Sequence, residues 1–419
     1  MKRVLLVAAT TGYQIRSFGD AAAALGVRLV FASDRCDQLE DPWWDQAIPV
    51  RFHEPAASIE AVRSACVEAP LDGIVAVGDR PAVLAAYIAR ACGLPGHPPE
   101  AATISRNKLA TREALRAAGL PTPDFFSVPA DAEPASFASR VRYPVVVKPM
   151  ALSGSRGVVR ADTPTQLASA FERLRRLLDA RDVRLERDDV HSQVLVEGFV
   201  PGTEYAIEGL LTHGTLQVLA IIDKPDPLDG PFFEETIYRM PSTAAAEIQG
   251  RIIDAVGAAC RAIGLSHGPV HAECRVESGH DPCVYILEVA ARPIGGLCSR
   301  ALRFGGSLSL EDVVLRHAIG EDVSSHRREE AASGVMMIPI PKRGVYRRVE
   351  GVDLARRVEG VEDIRITAKP DTTLVPLPEG KSYLGFIFAR AAGPEEVDRA
   401  LRHAHARLDF IVDREVAVL

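Results

Sequence analysis

No run of apolar residues in this chain approaches the ~20 that a membrane span needs, which argues against a membrane-embedded protein. No signal peptide is expected: MKRVLLVAATTG opens on a short apolar run that reads as a strand, and polar, helix-like residues begin by Tyr13. The seven cysteines (Cys36, Cys66, Cys92, Cys260, Cys274, Cys283, Cys298) are odd in number and form no CxxC and no metal-ligand spacing. A disulfide framework or a zinc module is therefore not expected. A cytoplasmic protein with reduced thiols fits best, with Cys274 and Cys283 read as small buried apolar residues. Excess positive charge is also missing, since 49 basic residues against 56 acidic ones give −7, and broad nucleic-acid binding favours a basic surface. The first strand–turn–helix, AATTGYQ (8–14), lacks GxGxxG, which argues against a dinucleotide cofactor there. GxxxxGK[ST], internal repeats and low-complexity tracts are absent as well.

What is present is a soluble globular pattern, 47% hydrophobic and 25% charged, in a chain of 419 residues, too long for one ordinary core. RVLLVAA (3–9), VRLVFAS (27–33) and GIVAVG (73–78) alternate with helical stretches, the rhythm of a parallel, doubly wound α/β unit over 1–103. GLPGHPP (93–99) reads as the loop that ends it. The next unit, 104–320, opens with the amphipathic helix NKLATREALRAAG (107–119), closed by glycine and prolines. It contains a smaller α+β module at about 140–212, with strands YPVVVKP and VLVEGFVPG and a helix over TQLASAFERLRRLLDA. PLDGPFFEETIYRMPS reads as a loop, and AAEIQGRIIDAVGAACRAIG as a helix. From 321 to 419, GVMMIPIPKRGVY, VEDIRIT and YLGFIFAR are strand-like and PEEVDRALRHAHARL is helical, a terminal α+β module.

The chemistry concentrates in one hairpin. GPVHAECRV (268–276) and CVYILEVAARPIGG (283–296) flank a turn-like ESGHDP. Side chains alternate across a strand, so Glu288, Ala290 and Arg292 share a face, as do His271 and Glu273. With a turn centred on Gly279 and His280, Glu273 falls diagonal to Glu288, roughly 7–8 Å away between backbones. Two carboxylates that close repel unless a cation lies between them, and hard oxygen ligands suit magnesium held against phosphate, with manganese as a substitute. The alternative is a solvated face with scattered charges. Lys148 ends a run of three valines before SGSRG (153–157), and a small-residue turn of this kind exposes backbone N–H groups that bind phosphate oxygens. The alternative there is a strand-end lysine beside an ordinary hairpin. Lys108, early in its helix, reads equally well as an exposed helical lysine. Glu197 precedes Gly198, Phe199 and Val200 at a strand exit, where backbone can pair with an adenine edge, and Glu204, seven residues on, could take ribose hydroxyls, though either glutamate alone is unremarkable.

In this order, NK at 107–108, VVVKP at 145–149, SGSRG at 153–157, VEGFVPGTEY at 196–205, HAE at 271–273 and LEVAARPIGG at 287–296 resemble the ATP-grasp superfamily. The resemblance covers nearly the whole chain. It implies an N-terminal α/β domain, a central lid and a C-terminal domain, with ATP between the last two. Carried over, Lys108 and Lys148 would contact ATP phosphates, and Ser153, Gly154, Ser155, Arg156 and Gly157 would cover them. Glu197 to Val200 would hold adenine, Glu204 the ribose, Glu273 and Glu288 magnesium, and Arg292 the transferred phosphate. Many relatives read E-x-N-x-R where this chain has Ala290, which cannot ligate, so water or phosphate would complete the metal shell.

EVAARPIGG, the DGPFFEE loop and the tail GVMMIPIPKRG…LPEGKSYLGFIFAR look like the L-amino-acid ligase branch. What this implies is joining of a carboxylate to an amine, both amino-acid-like small molecules, through an acyl phosphate with release of ADP and phosphate. Glu235, Tyr238, His271, Arg292, Gly295 and Gly296 are the candidates for the substrates. Two other readings stay open: another acyl-phosphate-forming enzyme of nucleotide or cofactor synthesis, and a protein that binds nucleotide without turnover. Neither nucleic acid nor membrane is an expected partner, and a homodimer is left open.

Overall fold

A computed structural model describes residues 1–9, 14–34, 47–277, 279 and 281–414. Cys36, residues 10–13 of the first turn, and His280 at the hairpin tip lie outside the described residues. The first unit is the expected parallel one. Strands β1 (Arg3–Ala8), β2 (Arg28–Ser33), β3 (Ile48–Pro49) and β4 (Gly73–Val77) form a sheet in the order β3-β2-β1-β4. Helices α1 (Ile15–Leu25), α2 (Pro55–Ala65) and α3 (Asp79–Cys92) connect or flank them, and α4 (Pro99–Arg106) and α5 (Lys108–Ala117) lead on to the next unit. Strand β1 is buried throughout from Val4 to Ala8, as a parallel strand covered on both faces must be.

A second, antiparallel sheet in the order β5-β8-β6-β7 is built from β5 (Phe125–Pro129), β6 (Val145–Pro149), β7 (Val159–Ala161) and β8 (Gln193–Gly198). Helix α6 (Pro164–Leu178) buries Leu167, Phe171 and Leu174 against it, and α7 (Arg181–Arg184) follows. This small module runs from about 125 to 198, and the expected limits of 140–212 shift at both ends. Phe125–Pro129 pairs with β8, while Thr203–Thr212 belongs to the larger sheet, because its partners lie there on both sides.

That larger sheet has eight strands, ordered β13-β12-β9-β10-β11-β16-β20-β18. It comprises β9 (Thr203–Thr212), β10 (Thr215–Asp223), β11 (Ile237–Met240), β12 (Gly268–Val276) and β13 (Val284–Ala290), with helix α8 (Ala246–Ile263) on one face. The hairpin β14 (Arg303–Phe304) and β15 (Leu308–Ser309) leads into α9 (Leu310–Ala318). From the terminal module come β16 (Ala332–Ile338), β18 (Val361–Ile366) and β20 (Gly385–Ala391). Strand β17 (Gly344–Glu350) pairs instead with β19 (Thr373–Leu374) and β21 (Asp409–Asp413), and α10 (Val352–Arg356) and α11 (Pro394–His405) complete the chain. The terminal module thus extends the sheet that carries the acidic hairpin. Strand β11, read as loop from sequence, is the seam: it pairs with β10 on one side and β16 on the other.

Helix α9 is started by a capping box between Ser309 and Asp312 and buries Leu310, Val313 and Val314 against the first unit. Its end lies so close to β4 that a Cβ on Gly73 would stand 2.3 Å from the Ala318 carbonyl oxygen. Gly73→Ala should therefore cost about 1–3 kcal/mol, read as a lower urea midpoint. Gly250→Ala, on α8 with nothing within 4 Å of the new methyl, should leave stability unchanged or raise it by up to ~1 kcal/mol.

Candidate active site

Every residue expected at the site, except Arg156 and Gly157, lines one cavity of about 280 Å³ between the small module and the large sheet. Asn107 starts α5 by accepting from the N–H groups of Leu109 (3.0 Å) and Ala110 (3.2 Å). That cap turns Lys108 inward. Its ammonium donates to the Leu152 carbonyl at 2.9 Å and lies 3.4 Å from Glu288. One turn later Arg112, fully buried, donates to Glu197 (2.8 and 3.3 Å) and to the carbonyls of Ile286 (3.1 Å) and Leu287 (3.0 Å). Lys148, at the end of β6, closes on the same Glu197.

The hairpin differs from expectation in its register. Near its tip Cys274 faces Ile286, but a bulge follows, and Glu273 then faces Glu288 directly, with His271 opposite Ala290. The extra residue, Leu287, reverses the side-chain parity of β13, so the two carboxylates are cross-strand partners and not diagonal neighbours. Arg112 takes up the Leu287 carbonyl. Cys274 is buried in the apolar cluster it shares with α8, whereas Cys283 is half-buried. The six cysteines within the described residues are all free.

At the exit of β8, the rings of Phe199 and Phe233 stack with centroids 6.3 Å apart. Arg160 lies 4.2 Å from the Phe199 ring, and Arg275 lies 5.1 and 5.6 Å from the two rings. The N–H groups of Gly198 and Phe199, expected to face a base edge, donate to Asp124 (2.9 Å) and Pro144 (3.0 Å). What this exit offers is therefore a flat aromatic surface. Glu204 holds Arg275 (2.8 Å) and Lys224 (2.7 Å). Lys224 lies behind the cavity wall, bonded also to Glu235 and, at 3.2 Å, to Glu273. Glu204, Glu235 and Glu273 bring one oxygen each within 4.8 Å of one another, with the ammonium among them. Tyr238 donates to Glu235 at 2.8 Å, and His271 Nδ1 lies 3.1 Å from the fully buried Glu208. Arg292 is held in a fork by Asp79 of α3, at 2.6 and 3.4 Å.

Ser153, Gly154 and Ser155 line the cavity, Gly154 and Ser155 with φ of 62° and 55°. Arg156 and Gly157, expected over the phosphates with them, turn the other way. Arg156 pairs with Asp182 (3.0 Å) and donates to the Glu379 carbonyl (3.0 Å), and Gly157 N–H donates to the Pro378 carbonyl (2.8 Å). Arg112, Lys224, Arg275, Glu208 and Asp79 were not anticipated, nor were Lys381, Ser382 and Tyr383, which also line the cavity. Lys224 carries a legible signal: IIDKP repeats the strand-then-Lys-Pro pattern of VVVKP.

Burial costs each charge, and the partners decide the outcome. Burial holds the Lys148 ammonium down at about 8 despite Glu197. For Glu197 burial is outweighed by Arg112 and Lys148, which pull it to about 2. Burial and then Glu273 raise Glu235 to about 7. Burial disfavours charge on His271, but Glu208 and Glu273 lift it to about 9, so it is an imidazolium at neutral pH. Lys224 is raised well above its ordinary value, because three glutamates overcome burial.

The donor set fits magnesium. Glu273 and Glu288 face each other, line the cavity and supply hard oxygens, and each now contacts an ammonium that a divalent ion would relieve. Ala290 supplies no donor.

Three family models match stretches of the chain. The chain matches the ATP-grasp N-terminal domain over residues 19–96, the ATP-grasp domain over 141–301 and the L-amino acid ligase C-terminal domain 2 over 336–413. The protein belongs to the ATP-grasp superfamily. Within it the chain is of the L-amino-acid ligase type: its fold matches that of an L-amino acid ligase from Bacillus licheniformis with a TM-score of 0.83, at 26% identity over 99% of both chains. An uncharacterised protein of Sinorhizobium fredii is 28% identical over 326 residues, 78% of this chain and 65% of that one. A D-alanine–D-alanine ligase of Ralstonia nicotianae is 30% identical over 227 residues, 52% of this chain and 64% of that one. The matched region thus spans just under two thirds of these curated relatives. Among the described residues, no helix is long and apolar enough to cross a membrane.

Arg112→Ala should destabilise the protein by about 3–5 kcal/mol, because it leaves Glu197 buried without its main partner. Glu197 sits below its ordinary 4.5, so its contribution is full above pH 4.5 and is lost as pH falls towards about 2. Thermal unfolding of wild type and variant across that window should converge at the acid end.

Proposed function

We propose that this chain is an ATP-dependent carboxylate–amine ligase that joins two amino-acid-like substrates through an acyl phosphate. The observation that carries this reading is the convergence, in one cavity, of Lys108, Lys148, the facing pair Glu273 and Glu288, and Arg292. Phosphoryl transfer asks a protein mainly to position groups and neutralise charge, and this is the set of groups that does so.

In this reading the adenine lies against the aromatic surface of Phe199 and Phe233, with the ribose towards Glu204. Lys108 and Lys148 hold the phosphates under Ser153–Ser155. Magnesium held by Glu273 and Glu288 would neutralise charge at the terminal phosphates. A carboxylate oxygen of the first substrate attacks the γ-phosphorus, the bond to the bridging oxygen breaks, and ADP leaves. The amine nitrogen of the second substrate then attacks the acyl carbon, phosphate departs, and the nitrogen sheds a proton. Glu235, poised near 7, suits that proton. His271, charged at neutral pH, suits a substrate carboxylate, and Arg292, oriented by Asp79, suits the transferred phosphate. The missing ligand at Ala290 favours a second reading, nucleotide binding without turnover, which the same assays decide.

ADP and phosphate should appear in step with amide when amino acids are offered in pairs, and hydroxylamine in place of the amine should trap a hydroxamate. Pyrophosphate, or phosphate release without hydroxamate or amide, would overturn the ligase reading. Glu288→Gln should abolish turnover while Tm stays near that of wild type.

The rate at limiting substrate should rise with pH through about 7 as Glu235 ionises and fall past about 8 as Lys148 loses its charge. In Glu235→Gln the acid limb should vanish, and in Lys148→Arg the alkaline limb should move beyond pH 9, about where arginine still holds its proton. A profile unchanged by both substitutions would remove these two assignments.

A further inference from the structure

The turn Pro376–Ser382 of the terminal module reaches across the cavity to the small module. It is closed by a hydrogen bond from Gly380 N–H to the Pro376 carbonyl (2.9 Å), and a Cβ on Gly380 would stand 1.9 Å from the Val375 carbonyl oxygen. Glu379 accepts from Nε and Nη2 of Arg173 on α6, at 2.8 and 3.1 Å. Lys381 reaches Asp182 of α7 at 3.1 Å, and Asp182 in turn holds Arg156 at 3.0 Å. The Pro378 and Glu379 carbonyls accept from Gly157 N–H and Arg156 Nε. Gly157 has no room for a side chain, since a Cβ there would meet Leu177 at 2.8 Å and Leu174 at 3.0 Å.

The chain therefore divides its contacts within five residues: Ser153–Ser155 face the cavity, and Arg156 and Gly157 face the turn. Whatever fixes the turn against α6 and α7 also fixes the three cavity-lining residues. The same turn delivers Lys381 and Ser382 to the cavity wall. The ion pairs are open to water, with side-chain exposures of 40% for Arg173, 36% for Glu379 and 66% for Lys381. Exposed pairs hold weakly and yield to salt. They can close and release within a catalytic cycle.

We infer that this turn is a latch for the phosphate loop, and that Glu379 and Arg173 are positioning residues. When the latch is shut, the loop is held over the reacting phosphate and water is kept from the acyl phosphate. The inference deepens the ligase reading and rests on it, because only a hydrolysable intermediate makes exclusion of water matter. It also gives the terminal domain a part in the reaction.

The test compares Arg173→Glu, Glu379→Arg and the double charge swap, with Arg173→Gln and Glu379→Gln as milder forms. Each single variant should raise the KM for magnesium-ATP by about 2–5-fold, the range expected of an exposed pair. Each should also release more ADP than amide, because water takes the acyl phosphate and regenerates the carboxylate. The swap should restore both quantities, and Tm should hardly move in any of them. High salt should reproduce the single-variant behaviour in wild type. Unchanged KM and unchanged ADP-to-amide ratio in both charge-reversed singles would overturn the latch, as would losses that follow Tm alone or are not restored by the swap. If wild type makes no amide from any pair, the ligase reading fails separately. The latch is then judged by ATP affinity and by ATP protection of the small module from protease, and equal values in single variants and wild type would overturn it.

Discussion

The site depends on one buried guanidinium. Arg112 joins three parts of the molecule that are far apart in sequence: helix α5, the small module through Glu197 on β8, and the large sheet through the carbonyls of Ile286 and Leu287 on β13. A guanidinium carries five donors in a fixed fork, so it can make two bonds to the carboxylate and one to each carbonyl at once, one more than a lysine has donors for. Its bond to Leu287 takes up the carbonyl at the bulge that places Glu288 opposite Glu273. Its bonds to Glu197 bring in Lys148. Lys148 and the facing carboxylates Glu273 and Glu288 are thus referred to a common centre.

A second theme is that the buried ammonium groups are already neutralised. Lys108 lies against Glu288 and a carbonyl, Lys148 against Glu197, and Lys224 among three glutamates. Taking such charges out of water unpaired would cost far more than the fold can supply. Pairing them with the carboxylates that face the cavity keeps them charged and close to where an anion would arrive. A polyanion with its metal can then exchange partners with these pairs, and no bare charge need be created. The terminal domain enters the same economy at the surface, where half-exposed pairs give a contact weak enough to open.

Much of this was legible in the residues, for identifiable reasons. The N-terminal α/β rhythm, the helix opened by Asn107 and the valine run ending at Lys148 are local patterns, governed by periodicity, capping and burial. The pairing of Glu273 with Glu288 was anticipated on a different register, and the agreement owes something to chance. A turn shift and a bulge each reverse side-chain parity, and here they compensate. Arg112 was not legible, because an arginine four residues beyond Lys108 on an amphipathic helix looks like any solvated base. Arg156 and Gly157 read with their neighbours in sequence, because adjacency suggests a shared role. Nothing in the pentapeptide SGSRG says that its second half faces a turn more than 200 residues away.

By itself the sequence determined the class of the fold, the order of its parts and the chemical inventory of the site. These follow from hydrophobic period, glycine and proline placement, and the kinds of side chain at strand ends, all of which act over a few residues. Tertiary structure alone decided which charges neutralise one another, where the bulge falls, how far the small module extends, and which residues of the terminal domain enter the cavity. Those outcomes depend on distances between segments that only packing brings together, and on buried charges that are tolerable only once their partners have arrived.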